Sequence, residues 1–164
     1  MNTDRALMLE LLRSGQGPVA LTSNPLAEDL GGHLIELDTE RRSALLSFEP
    51  PARYTQGAGV LQGGAIAMLL DFAMAFAAYT VPAARERSFA TATLAVNLLR
   101  PAPPGRYLAR GHIVRAGRRL LFAEGSLVAA EDPHTSAKGS LGGELGRVDP
   151  VATASAVMPF TDGG

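Results

Sequence analysis

Apolar residues recur along this chain with two different periods, and the changes of period divide it into elements. Leu7, Met8, Leu11 and Leu12 fall on one side of a helix over residues 3–13, which Ser14-Gly15-Gln16-Gly17-Pro18 brings to an end. His33–Asp38 and Ser43–Phe48 read as two strands joined by the polar stretch 39–42. Pro50-Pro51 stops the second strand, and a loop runs on through Gly59. From about 63 to 80 the chain is apolar on almost every side, which predicts a buried helix ended by Pro82. Beyond it the period falls to two. Ala92, Leu94, Val96 and Leu98 alternate with Thr91, Thr93, Ala95 and Asn97, and the proline-rich stretch 101–105 forces a turn. Residues 107–114 and Leu120–Ala129 form two long strands about the turn Arg115-Ala116-Gly117-Arg118. Asp132-Pro133 makes another turn before a last, glycine-rich strand over roughly 136–145. Residues 148–164 show no periodicity and read as a loose C-terminal tail.

The order is helix, two strands, long apolar helix, then about four strands, which predicts an α+β fold. One domain is expected over residues 1–147, with an N-terminal helix and linker over 1–20. A single helix covers one face of such a sheet, and the remaining area invites a second subunit.

Composition narrows the class. The chain has 164 residues, enough for one domain with a real core and short for two. Hydrophobic residues at 46% and charged residues at 19% fit a globular protein. A formal net charge of −1 gives no electrostatic footprint for nucleic acid or an acidic membrane surface. The absence of cysteine excludes disulfides, thiolate metal sites and a cysteine nucleophile. The first residues, MNTDRALMLELLRSG, lack the basic start and cleavage site of a signal peptide, so a cytoplasmic protein is expected. The run 65–81 is at the short end for crossing a bilayer and holds Asp71 near its middle, which argues against a membrane span.

That acid is the most informative residue. Burying an unpaired carboxylate costs several kcal/mol, so Asp71 either marks a site or is a paired structural acid. Gly63 and Gly64 open the same helix with bare backbone amides. A carboxylate can act as general base or nucleophile, and a free N–H can hold a developing oxyanion. Eight residues separate Gly63 from Asp71, or ~12 Å of helix, too far for both to touch one carbonyl. If both serve one reaction, Asp71 of one subunit must meet Gly63 of another. The GxGxxxG spacing around Gln56 to Gly63 is not a dinucleotide loop, since no strand feeds it within a βαβ unit. No GxSxG, HExxH or P-loop sequence occurs. His33, His112 and His134 are scattered and read as ordinary surface or half-buried residues. Arg118 and Arg119, at a hairpin tip, read as a solvated turn or as a hold for phosphate.

At Gln56…Gln62-Gly63-Gly64…Asp71, at the following ATATLAVNLLRPAPPG and at RAGRRLLFAEGSL, the chain resembles the hotdog-fold acyl-CoA thioesterases of the PaaI type. The resemblance covers about residues 30–147. It implies a curled antiparallel sheet around one long central helix, in protomers that pair as a homodimer or again as a homotetramer. By position, Asp71 would be the catalytic carboxylate and the Gly63 N–H would bind the thioester oxygen. Gln56 would orient water or the carbonyl from the same subunit as Gly63. Thr91 matches a position where relatives carry Ser or Thr beside the acid, and would sit with Asp71 across the interface. Gln62, Gly64, Met68, Phe72, Arg118 and Arg119 would contact the substrate, the apolar ones favouring an aliphatic or aromatic acyl group. Gln62 stands where many relatives have His, and glutamine replaces its hydrogen bonds but not its proton chemistry.

The resemblance implies hydrolysis of an acyl-CoA to free acid and CoA, with no metal and no cofactor beyond the CoA thioester itself. A non-catalytic acyl-CoA-binding protein is the first alternative. An enoyl-CoA hydratase is the second, but those enzymes pair the acid with a nearby His, and none lies between His33 and His112.

Overall fold

Residues 3–14, 18–130 and 149–161 are described by a computed structural model. The long helix α3 runs Gly63–Ala78, after the amphipathic α1 (Thr3–Ser14) and a short α2 (Pro25–Asp29). Its end is built by side chains. Arg85 donates from Nε to the Tyr79 carbonyl at 2.9 Å and from Nη2 to that of Thr80 at 3.0 Å, and Thr80 Oγ1 donates to the Ala77 carbonyl at 2.6 Å. The Arg85 guanidinium thus satisfies carbonyls just past the last helical turn. Pro82 does more than stop α3, because it opens a further short helix, α4 (Pro82–Glu86), at the position where proline is favoured.

Among the described residues eight antiparallel strands form the sheet that holds α3: β1 (Val19–Ala20), β2 (His33–Asp38), β3 (Ser43–Phe48), β4 (Ser88–Phe89), β5 (Thr93–Leu98), β6 (Tyr107–Ala116), β7 (Leu120–Ala129) and β8 (Ala152–Thr161). Their order in the sheet is β1-β2-β3-β6-β7-β8-β4, with β5 also on β8. The α+β expectation of one helix held in a curled antiparallel sheet is the architecture found. Small residues set how closely the helix approaches. Ala44, Gly111, Gly125 and Ala154 stand side by side across four strands. A Cβ on Gly111 would lie 2.1 Å from the Ala73 carbonyl oxygen, so α3 rests directly on the backbone of β6. Around this seat pack Leu46, Phe48, Tyr107, Ile113, Leu121, Leu127 and Met158, all buried, and Met8 and Leu11 of α1 close the core.

Two readings are corrected. Residues 148–164 do not form a loose tail, since Ala152–Thr161 is a ten-residue strand laid between β7 and the β4/β5 edge. The domain therefore extends past residue 147. The strand alternates, with Ala152, Ala154, Ala156, Met158 and Phe160 buried, but alanine makes most of its inner face and the hydrophobic signal is faint. Pro159 lies where β8 changes partner from β5 (Thr93 opposite Val157) to β4 (Phe89 opposite Phe160), so its missing N–H costs the ladder little. The second correction is α2, absent from the sequence reading. Asn24 caps it, accepting from the Leu26 and Ala27 amides at 3.1 and 3.3 Å, and Pro25 follows at the first helical position. The strand expected over 136–145 lies outside the described residues.

Two surfaces stay open in the single chain. Among the described residues β5 pairs only with β8, leaving its outer edge without a neighbour. On α3, Gly64 is exposed and Ala67, Met68, Asp71, Phe72 and Ala75 are partly exposed at helical spacing, forming a strip that the described strands do not fully cover. No helix among the described residues is long and apolar enough to cross a membrane.

Candidate active site

Asp71 lies midway along that open strip and is half-buried. Thr91, on the segment between β4 and β5, donates from Oγ1 to Asp71 Oδ1 at 2.8 Å. No arginine or lysine makes an ion pair with Asp71 among the described residues. Among the described residues, then, Asp71 is not neutralised by an arginine. The carboxylate is fixed by one neutral hydroxyl that occupies one oxygen.

The start of α3 is shaped by the loop before it. Gln62 precedes the helix in an extended conformation (φ −64°, ψ 139°) and its side chain makes no capping bond. Its carbonyl takes the amides of Ala65 and Ile66 at 2.9 and 3.2 Å. The amides of Gly63 and Gly64 donate to no acceptor among the described residues. A Cβ on Gly63 would stand 2.8 Å from Leu98 Cδ1 at the end of β5, whereas one on Gly64 would meet nothing within 4 Å. Gln56 is exposed, and its Oε1 accepts from the Ala58 amide at 2.7 Å. The loop thus uses the side-chain carbonyl and leaves the amide NH₂ as the outward donor. Gly59 takes a positive φ of 76° where this loop turns back.

Within one chain the predicted residues fall into two groups. Asp71 and Thr91 form one, at the first residues of the β4–β5 edge; Gly63, Gly64, Gln62 and Gln56 form the other, at the far end of β5 beside Leu98. Met68 lies on the open strip between them, and Phe72 on the same strip just past Asp71. The Phe72 ring is further held by Phe48 and Phe76, with centroids 6.1 and 6.4 Å away. Arg118 and Arg119 are exposed at the hairpin tip, where the Arg119 carbonyl accepts the Phe160 amide at 2.9 Å. Arg87, which the sequence did not single out, joins them. Its guanidinium lies 4.3 Å over the Phe160 ring and donates from Nη1 to the Arg118 carbonyl at 2.8 Å. His33 and His112 are exposed, and His134 lies outside the described residues. A hollow of about 440 Å³, lined by Asn97, Arg110, His112, Glu124 and Ser155, opens on the sheet face turned away from α3 and holds none of the predicted site.

The family model of the thioesterase superfamily matches residues 58–135, from inside the Gln56 loop through α3 and the β6–β7 hairpin. Among solved structures, a phenylacetic acid degradation-related protein of Ralstonia eutropha JMP134 is 25% identical, with a TM-score of 0.69 over 93% of this chain and 98% of that one. The chain has the hotdog fold and is similar to PaaI-type thioesterases. A thioesterase family protein from Silicibacter pomeroyi shares the hotdog fold at 24% identity and a TM-score of 0.70, covering 97% and 99% of the two chains. The E. coli PaaI protein, from the phenylacetic acid degradation operon, shares it at 16% identity and a TM-score of 0.69, covering 99% and 98%. No curated protein matches the sequence. The family model and the Ralstonia eutropha neighbour support a thioester hydrolase in general. In this hotdog frame the half-buried acid of the central helix and the bare amides at its start are the parts able to do acyl-transfer chemistry.

Proposed function

We propose that this protein hydrolyses an acyl-CoA thioester to a free carboxylic acid and CoA, at a site assembled from two copies of the chain. The observation that carries this reading is the Asp71 carboxylate, half-buried on an otherwise apolar open strip and held only by the Thr91 hydroxyl among the described residues. With Oδ1 taken by Thr91, Oδ2 is free to face substrate. The Gly63 N–H, at the positive end of α3, is the donor for the thioester oxygen as it gains charge. The β5 edge relates the two groups. One of its ends lies by Thr91 and Asp71, the other by Leu98 and Gly63. Antiparallel pairing of two such edges about a two-fold axis sets the Asp71 end of one protomer against the Gly63 end of its partner.

In the reaction, water adds to the thioester carbon as Asp71 takes its proton, or Asp71 attacks directly and water releases the acyl group afterwards. The carbonyl oxygen collects negative charge against Gly63 N–H, with the Gln56 NH₂ beside it to orient water or carbonyl. The C–S bond then breaks, and the CoA thiolate takes up the proton. Met68 and Phe72 line the strip where an aliphatic or aromatic acyl group would lie, with Gln62 and Gly64 near the thioester. Arg118 and Arg119, together with Arg87, offer positive charge to CoA phosphates.

Replacing Asp71 by Asn in folded protein and following thiol release from an acyl-CoA panel tests this. We expect turnover to fall by about 100-fold or more, the scale at which a general base contributes; unchanged turnover refutes the mechanism. Gln62, standing where relatives carry His, favours one second reading, an acyl-CoA-binding protein without turnover. Saturable binding of the same panel with no thiol released would support it.

A further inference from the structure

The structure assigns Asp29 a role at this site that its sequence position does not betray: we infer that it is a positioning residue, fixing through Tyr54 the loop that presents the Gly63 amide. The inference rests on the proposed hydrolysis only for its kinetic consequence. Asp29 ends α2, and the chain around it is tightly held. The amides of Leu30, Gly31 and Gly32 donate back to Leu26, Glu28 and Ala27 at 3.1, 2.9 and 2.8 Å, and Leu30 accepts the Glu49 amide at 3.0 Å. Gly31 takes a φ of 64°, and a Cβ on Gly32 would lie 2.7 Å from the Ala27 carbonyl, so this turn has little freedom. From that anchor the carboxylate reaches across to the loop before α3. The Tyr54 hydroxyl donates to Asp29 Oδ2 at 2.5 Å. Arg53 donates to both carboxylate oxygens, and its guanidinium lies 5.7 Å from the Tyr54 ring centre.

Tyr54 is gripped at its other end by the site itself. Its backbone carbonyl accepts the Gln62 amide at 2.8 Å, and Gln62 is the residue immediately before Gly63. A bridge between Thr55 and Leu61 closes the same loop, inside which Gln56 sits. The path from Asp29 Oδ2 to the amide before Gly63 is thus one side chain and two hydrogen bonds long. The Arg53–Asp29 ion pair does not explain the acid, because its side chains are 60% and 37% exposed and such pairs add little to stability. The phenol–carboxylate bond is charge-assisted and directional. Losing it lets the loop shift, and a displacement of about 1 Å at a reacting centre can cost on the order of 100-fold in rate.

The test uses the full chain with four variants, Tyr54→Phe, Asp29→Ala, Asp29→Asn and Arg53→Ala, and two readouts. Amide hydrogen exchange at Gln62 needs no substrate. We expect it to quicken about tenfold in Tyr54→Phe and Asp29→Ala, by the local opening such a lost tie permits, with β6 and β7 unchanged. Turnover is read on whichever of benzoyl-, phenylacetyl- and hexanoyl-CoA the unmodified protein hydrolyses. There kcat should fall about tenfold in the same two variants while KM changes less than about twofold, the signature of an interaction felt in the transition state. Asp29→Asn keeps an acceptor for the phenol and should recover most of the loss; Arg53→Ala should change neither readout. Combining Tyr54→Phe with Asp29→Ala should add nothing to either alone. Unchanged Gln62 exchange in both variants overturns the inference, as does a lowered Tm with kcat intact. If Asp71→Asn keeps full turnover, the hydrolysis reading fails, and the exchange measurement still decides the role of Asp29.

Discussion

At the scale of single residues, what sets Asp71 apart is its partner. A carboxylate half-buried among Met68, Phe72 and Ala75 and held by a threonine hydroxyl keeps one oxygen available, where an arginine would have claimed both. Replacing Thr91 by Val keeps the shape and deletes the donor. A hydrogen bond to a charged group is worth about 1.5–3 kcal/mol, so kcat should fall by roughly 10- to 100-fold, with KM little changed. Steady-state kinetics on the same acyl-CoA panel check this, and an unaltered kcat would mean that Thr91 merely packs beside the acid. Asp71 was legible in the sequence because a lone charge in an apolar helix breaks its pattern. Thr91 was not legible from pattern at all. It is one of two threonines in an alternating stretch, and only the resemblance marked it. Tyr54 and Asp29 were illegible for a different reason: they meet through a contact between distant segments, which no local spacing announces.

Among elements, the packing of α3 on the sheet is decided by what is missing from the strands. Gly111 sits directly under the Ala73 carbonyl, and a methyl group there would lie 2.1 Å from it. Because the obstacle is backbone, Gly111→Ala must lift the helix or bend β6, at a cost of about 1–3 kcal/mol or more. Thermal unfolding should show a Tm lowered by several degrees, while Gly64→Ala, with nothing within 4 Å, should match or exceed the parent. Equal Tm values for the two variants would contradict this account of the seat. The elements with a strong hydrophobic signal, β2, β3, α3 and β7, lie close to where the sequence placed them. The weak ones did not announce themselves. β8 is built on an alanine face whose burial comes from neighbouring strands rather than from its own hydrophobicity, and α2 is too short for any period, although Asn24-Pro25 carried its start signal.

For the whole molecule, the central issue is whether one chain suffices. A single protomer holds Asp71 and Gly63 eight residues apart on one helix, leaves a strip of α3 partly uncovered and leaves the β5 edge without a partner among the described residues. Leu98 and Leu99, 54% and 53% exposed at that edge, add apolar area with no cover. Each of these is accounted for if two copies join along β5. The expectation of a second copy came from the helix geometry and the apolar surplus, but the edge that would supply it was not legible, since strand order depends on pairings across the whole chain.

Mixing two inactive variants tests this most directly. Asp71→Asn removes the carboxylate, and Gly63→Pro removes the amide proton at a helical position that tolerates proline. Random pairing of equal amounts makes half the dimers mixed, each with one intact site, so co-expression should restore about one quarter of the parent activity. If the two variants are each inactive and the mixed dimers remain so, the site lies within a single chain and the shared-site account is wrong.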